Sequence, residues 1–194
     1  MKNNKIIAKL KRFLQPTAVL IVCAVMLAGC SKADLSQYRD NRPALDLFEY
    51  FQDETIGHGM VQDRSGNLTR QFVVHIRGEI DQQNRLVLNE DFEWSDGEKS
   101  KRVWTIAGAE DGMLTGTAAD VEGEAVGSVS GNVLNWRYYL NVEVDGRTWK
   151  IHLDDWMYLQ PDEILINKTR MSKFGIHLGD ITIVFNKKIQ GDRS

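Results

Sequence analysis

The amino-acid sequence predicts an all-β fold, an antiparallel up-and-down barrel of about nine or ten strands behind one short N-terminal helix. Turn signals recur at Ser65-Gly66-Asn67, Asp81 to Asn84, Asp96-Gly97, Asp111-Gly112, Gly131-Asn132, Asp145-Gly146 and Pro161-Asp162. Their spacing, mostly about 10 to 17 residues, is the rhythm of successive hairpins. Between the turns, apolar and polar residues alternate with period two, the mark of strands that bury one face.

The clearest hairpin brackets Asp145-Gly146, a dipeptide suited to a tight turn because both central residues must reach positive φ. Before it, Leu134, Trp136, Tyr138, Leu140, Val142 and Val144 alternate with Asn135, Arg137, Tyr139, Asn141 and Glu143. After it, Trp149, Ile151 and Leu153 alternate with Thr148, Lys150, His152 and Asp154. Phe72, Val74 and Ile76 form one face of an earlier strand, and Ile181, Ile183 and Phe185 belong to the last one. Residues from about Ala44 to Phe51 read as the helix, with Pro43 suited to its first turn. A sheet this long with short hairpins removes its edges most simply by closing. The expected result is a lipocalin/calycin-like barrel, wide enough to hold a small ligand.

The N-terminus has the order of an export signal. Lys2, Lys5, Lys9, Lys11 and Arg12 precede an apolar run from Thr17 to Leu27, too short to span a membrane. The run ends in Leu27-Ala28-Gly29-Cys30, the pattern of a bacterial lipobox, in which the Cys30 thiol accepts a lipid before cleavage. The expected organisation is a signal peptide over residues 1–29, a lipidated tether over 30–43 and a single barrel domain over 44–190. Several acyl chains on one cysteine suffice for stable anchoring. Ser31 stands where an aspartate would retain a Gram-negative lipoprotein at the inner membrane, so the periplasmic face of the outer membrane is the expected location.

Cleavage also changes the charge. The whole chain has net charge −3, and the mature chain keeps 19 basic against 27 acidic side chains, net −8. That balance argues against nucleic-acid partners. With Cys23 removed and Cys30 acylated, no thiol remains for a disulfide, a metal or a nucleophile.

Five tryptophans and five tyrosines suggest an aromatic-lined cavity as well as core. The candidate ligand-binding set is Trp104, Trp136, Tyr138, Trp149 and Trp156, with Arg102, Arg137, Asp154 and Asp155 as polar partners. Asp154 and Asp155 sit next to each other in a strand, so they point to opposite faces and cannot both meet one substrate without a bulge. The expected role is structural: one of them satisfies buried backbone or pairs with an arginine such as Arg102 or Arg137. His58, His75, His152 and His177 are scattered, without metal-ligand spacing. No Ser occupies a nucleophile elbow, and the acidic stretch Asp120-Val121-Glu122-Gly123-Glu124 lacks the ligand order of a calcium loop. No catalytic residue, metal or cofactor is assigned.

Gly59-Met60-Val61-Gln62-Asp63-Arg64-Ser65-Gly66, Asp91-Phe92, Asp96-Gly97-Glu98, Arg102-Val103-Trp104, Asp120-Val121-Glu122-Gly123, Asp154-Asp155-Trp156-Met157-Tyr158-Leu159, Asn167 and Lys173-Phe174-Gly175 follow a familiar order. With them and the lipobox, the chain resembles a proteobacterial lipoprotein family defined as a domain of unknown function, DUF3833. The resemblance implies a shared fold and an envelope location. Members' occurrence beside fatty-acid-modifying enzymes implies lipid-related work, but no catalytic residue comes with it. Three functions compete. The first is a lipocalin-like module holding a lipid, fatty acid or other hydrophobic small molecule. The second is a structural or assembly factor docking an unnamed protein partner. The third is an enzyme acting on acyl chains or glycans through Asp154, Asp155 and His152.

Overall fold

The alternating segments pair into ten antiparallel strands in a computed structural model that describes residues 33–109, 112–144 and 146–187. In chain order they are β1 (Asp53–Asp63), β2 (Leu68–Ile80), β3 (Leu86–Trp94), β4 (Lys99–Gly108) and β5 (Met113–Thr117). They continue as β6 (Ala125–Ser130), β7 (Val133–Val144), β8 (Arg147–Leu159), β9 (Leu165–Lys173) and β10 (Ile176–Lys187). Each strand pairs with its sequence neighbours, and β1 pairs with β10 from Thr55↔Lys187 to Asp63↔Gly179, closing the barrel. This is the up-and-down barrel that the turn rhythm predicts.

Polar turn residues set the hairpins. The Asp63 carboxylate accepts hydrogen bonds from the backbone N–H of Ser65 (2.8 Å) and of Asn67 (3.0 Å). Asp81 does the same for Gln83 and Arg85, both at 2.9 Å. Gly97 and Gly146 take φ of 89° and 71°, the left-handed region that a side chain disfavours. Two connections carry none of the turn signals, β5–β6 and β9–β10; the latter turns at Phe174-Gly175, and Phe174 adopts φ 52° while 93 % exposed.

The helix is shorter than expected. It is α1 (Leu47–Phe51), and Asp46 rather than Pro43 sets its start, its side chain accepting from the N–H of Phe48 (2.9 Å) and Glu49 (3.1 Å). Leu47, Tyr50 and Phe51 are buried, and they plug one end of the barrel. Tyr50 Oη donates to the carbonyls of Glu163 (2.9 Å) and Phe185 (3.2 Å), and Phe51 packs edge-on against Phe185 at 5.4 Å.

The expected tether over 30–43 is also shorter on the barrel side. Leu35–Tyr38 forms a 3-10 turn, and the Tyr38 ring lies 6.3 Å from Trp156 and 6.1 Å from Tyr158, so the segment packs on the outer wall. Cys30, the lipobox and the expected signal peptide lie outside the described residues. Among the described residues no helix is long and apolar enough to cross a membrane.

Contact between the plug and the wall is close at Gly78 on β2, where a Cβ would overlap the carbonyl oxygen of Phe51. Gly78→Ala should therefore lower stability by about 1–3 kcal/mol, as overpacking does. At Gly108 a Cβ would meet only Leu114, at 3.8 Å, and Gly108→Ala should leave stability nearly unchanged. Urea unfolding of the two variants checks the pair, and equal midpoints would show that α1 does not bear on β2.

Candidate functional site

Because strand side chains alternate, every second residue of each strand faces the lumen. The inward residues do not fill it: a cavity of about 620 Å³ remains, within the range of about 300–1,000 Å³ usual for small-molecule sites. Leu47 and Phe51 of α1, with Ile76, Leu88, Ile106 and Phe185, line the plugged end. Arg70, Trp94, Glu98 and Glu143 lie toward the other end, where the hairpins of β1–β2, β3–β4 and β7–β8 turn.

Aromatic rings form much of the wall. Trp104 meets Trp136 at 6.0 Å and Tyr138 at 5.3 Å, both edge-on. Across the barrel, Phe72 lies 4.9 Å from Trp94 and 5.5 Å from Phe92. Glycines let these rings lie flat to the sheet. A Cβ at Gly59 would overlap the Phe72 ring, and Cβ atoms at Gly116 and Gly127 would crowd Trp136. The Arg70 guanidinium sits 3.9 Å above Trp94 and pairs with Asp96 and Glu98, so its charge is balanced at the rim.

Within this apolar wall lies a polar cluster in which Asp155 is buried while the Asp120 side chain stays 36 % exposed. Arg102 donates to a single oxygen of Asp120, Oδ2, from Nε (2.9 Å) and Nη2 (2.7 Å), while its Nη1 stands 4.0 Å from Glu90 Oε2. Glu90 and Arg102 are direct cross-strand neighbours on β3 and β4. On the facing strands, Asp155 of β8 is opposite Thr169 of β9, and Tyr138 and Asn167 also reach the cavity. Burial pushes Glu90 up to about 7; nearby Arg102 opposes the shift, and the carboxylates of Asp120 and Asp155 add to it. Burial likewise pushes Asp155 up to about 7, and the neighbouring hydroxyls of Thr169 and Tyr138 oppose the shift. The Tyr138 phenol is raised well above its ordinary range, first by burial and then by Asp155. Three carboxyl oxygens of the cluster, Glu90 Oε2, Asp120 Oδ1 and Asp155 Oδ1, are buried and without a hydrogen-bond partner.

Of the candidate set, Trp104, Trp136, Tyr138, Arg102 and Asp155 come together around the cavity. Trp149, Trp156, Arg137 and Asp154 do not line it. Trp156 and Asp154 have the opposite strand parity to Asp155, as Arg137 has to Trp136, and so face outward. Asp154 accepts there from Arg137 Nε (3.1 Å) and Asn135 Nδ2 (2.8 Å). Trp149 shares the parity of Leu153 but lies near the hairpin tip, 38 % exposed, with Lys173 Nζ 3.7 Å from its ring. His152 packs against Tyr139 at 5.1 Å and does not reach the cavity, so Asp154, Asp155 and His152 form no common acid–base site. Among the described residues no group of three or more His, Cys, Asp or Glu could hold a metal ion.

Glu90, Asp120, Asn167 and Thr169 were absent from the candidate set. Glu90 had a signal: it interrupts the inward stripe Leu86, Leu88, Phe92, Trp94. Asp120 was visible only as part of an acidic stretch, since it sits in the β5–β6 connection, where strand parity gives no direction; there it bonds Arg102 at the cavity wall.

Comparison with curated proteins finds none that matches. The structure is similar to that of the S-type phycobiliprotein lyase CPES from Guillardia theta, with a TM-score of 0.54 at 7 % identity. The likeness covers 80 % of this chain and 99 % of that one, and it shows a shared barrel fold. Residues 24–187 match the family model described as protein of unknown function (DUF3833), and the chain belongs to that family.

Proposed function

We propose that this chain is an envelope lipoprotein, anchored through Cys30 at the periplasmic face of the outer membrane, whose barrel binds a lipid or other small hydrophobic molecule. The observation that carries the binding reading is the unfilled cavity of about 620 Å³ with a largely aromatic and aliphatic wall. The barrel shared with a phycobiliprotein lyase supports it in outline. The anchor rests on the basic segment, the short apolar run and Leu27-Ala28-Gly29-Cys30. Among the three competing functions, acyl-chain catalysis loses its proposed dyad, because Asp154 and Asp155 face opposite sides of the wall.

An apolar lumen gains about 0.8 kcal/mol for each methylene it buries, or about fourfold in affinity. Straight-chain alcohols of increasing length should therefore bind progressively tighter until the cavity is full, read by the fluorescence of Trp104 and Trp136. Ile183→Trp, which fills part of the lumen, should weaken binding at least tenfold while circular dichroism stays that of the barrel. Affinity independent of chain length, with no hydrophobic molecule in extracts of the native protein, would sink the proposal.

The anchor has its own test. Cys30→Ser should abolish incorporation of labelled palmitate and release the protein from the membrane fraction. A variant that still sediments with outer membrane and still takes up label would remove Cys30 from the account.

The buried acids also couple stability to pH. Glu90 and Asp155 titrate near 7 in the fold, against about 4 for a carboxyl in an unfolded chain. Between those values the fold keeps protons that the unfolded chain has released, so this contribution is complete below about pH 4 and is lost as pH rises toward 7. Asp91, held low by its hydrogen bond to Lys101, contributes in the opposite sense and only at lower pH. Glu90→Gln should remove on the order of 2 kcal/mol of the fall in stability between pH 5 and 7.5, whereas Asp91→Asn should leave that fall intact. Urea midpoints across the range decide it; parallel curves for wild type and Glu90→Gln would overturn the assignment.

A further inference from the structure

The polar cluster contains more acid than base. Within the cluster the carboxyls of Glu90 and Asp120 flank one cation, Arg102, and Asp155 lines the cavity from the facing strand β8. Arg102 is already engaged, giving both close bonds to Asp120 Oδ2 and holding Glu90 at 4.0 Å. One oxygen of each carboxyl is left without a donor, and Asp155 is only 4 % exposed. A buried carboxyl oxygen without a donor is costly, and a hydrogen-bond donor or a proton of its own relieves it. A ligand carboxylate would bring neither: it would add a fourth acid and find no uncommitted cation within the cluster.

From this unmatched set of acceptors beside an apolar cavity, we infer that the preferred ligand is a cationic amphiphile, a hydrocarbon body with a primary ammonium group seated beside Glu90 and Asp155. This deepens the binding reading above and rests on it. An ammonium offers three donors and no acceptor, so it can donate to the unpartnered oxygens of Glu90 and Asp155. Its charge offsets the surplus of carboxyls over Arg102, and an opposite charge at close range favours the ionised form of each acid. Glu90 and Asp155, held near 7 by burial, are thus poised to release their protons when the cation arrives. The apolar wall, from Trp104 and Trp136 down to the α1 plug, takes the chain.

The test uses three probes with one chain length: dodecylammonium, dodecanol and dodecanoate, at pH 7.5 and below their micellar concentrations. Titrated into the full-length protein by tryptophan fluorescence, dodecylammonium should bind at least tenfold tighter than either of the others. In Glu90→Gln and Asp155→Asn the ratio of amine to acid affinity, taken within each variant, should fall at least fivefold. If dodecanoate or dodecanol matches the amine, or if the preference persists in both variants as surface adsorption would make it, the head-group assignment fails while the cavity reading stands. If none of the three binds, the cavity reading itself fails.

Discussion

Pairing of β1 with β10 is the constraint on which the rest depends. Once Thr55 to Asp63 are registered against Lys187 to Gly179, the sheet has no edge, and every strand residue belongs either to the lumen or to the outside. A slip of one residue would exchange the two sets and turn Trp104, Trp136 and Asp155 outward. Closure therefore does more than satisfy backbone hydrogen bonds. It decides which of two adjacent aspartates becomes a buried acid and which a surface partner of Arg137. The helix completes the arrangement by adding Leu47 and Phe51 to the cavity wall beside Phe185.

Much of this architecture was legible in the sequence because its causes are local. Asp63, Asp81, Gly97 and Gly146 act through their own turns, and alternation along Leu134 to Val144 needs no knowledge of distant strands. The β9–β10 turn was illegible for the converse reason, since Phe174 adopts a conformation its residue type rarely takes. Similarly, nothing in the sequence of Leu35–Tyr38 announces that Tyr38 packs against Trp156 and Tyr158.

The site was legible only in part, and the reason is geometric. Selecting residues by type gathered Trp149 and Trp156 with Trp104 and Trp136. Parity alone separates Trp156 and Arg137 from the lumen, and it also exposes Glu90 as a polar residue on an apolar stripe. Trp149 shows the limit of parity: it has the inward phase, yet its height along the barrel places it at the hairpin tip. Height depends on the stagger of all ten strands, a global quantity that no local window contains. The same holds for Asp120, which bonds Arg102 at the cavity wall from a connection.

Stability does not account for the buried acids. Replacing buried charged groups with apolar residues of similar volume is often neutral or stabilising, and a barrel shaped by packing alone would be served by leucine at positions 90 and 155. Instead the chain holds Glu90 and Asp155 against burial strong enough to push both to about 7, with unmatched oxygens beside unfilled space. Arg102 and Asp120 form a matched pair; Glu90 and Asp155 are the excess. An excess of one sign, enclosed by an apolar wall, has a use when something of the opposite sign enters. In the proposed binding, the cavity would supply the room and the wall the affinity, and the surplus acids a means of choosing among hydrophobic molecules by their head groups.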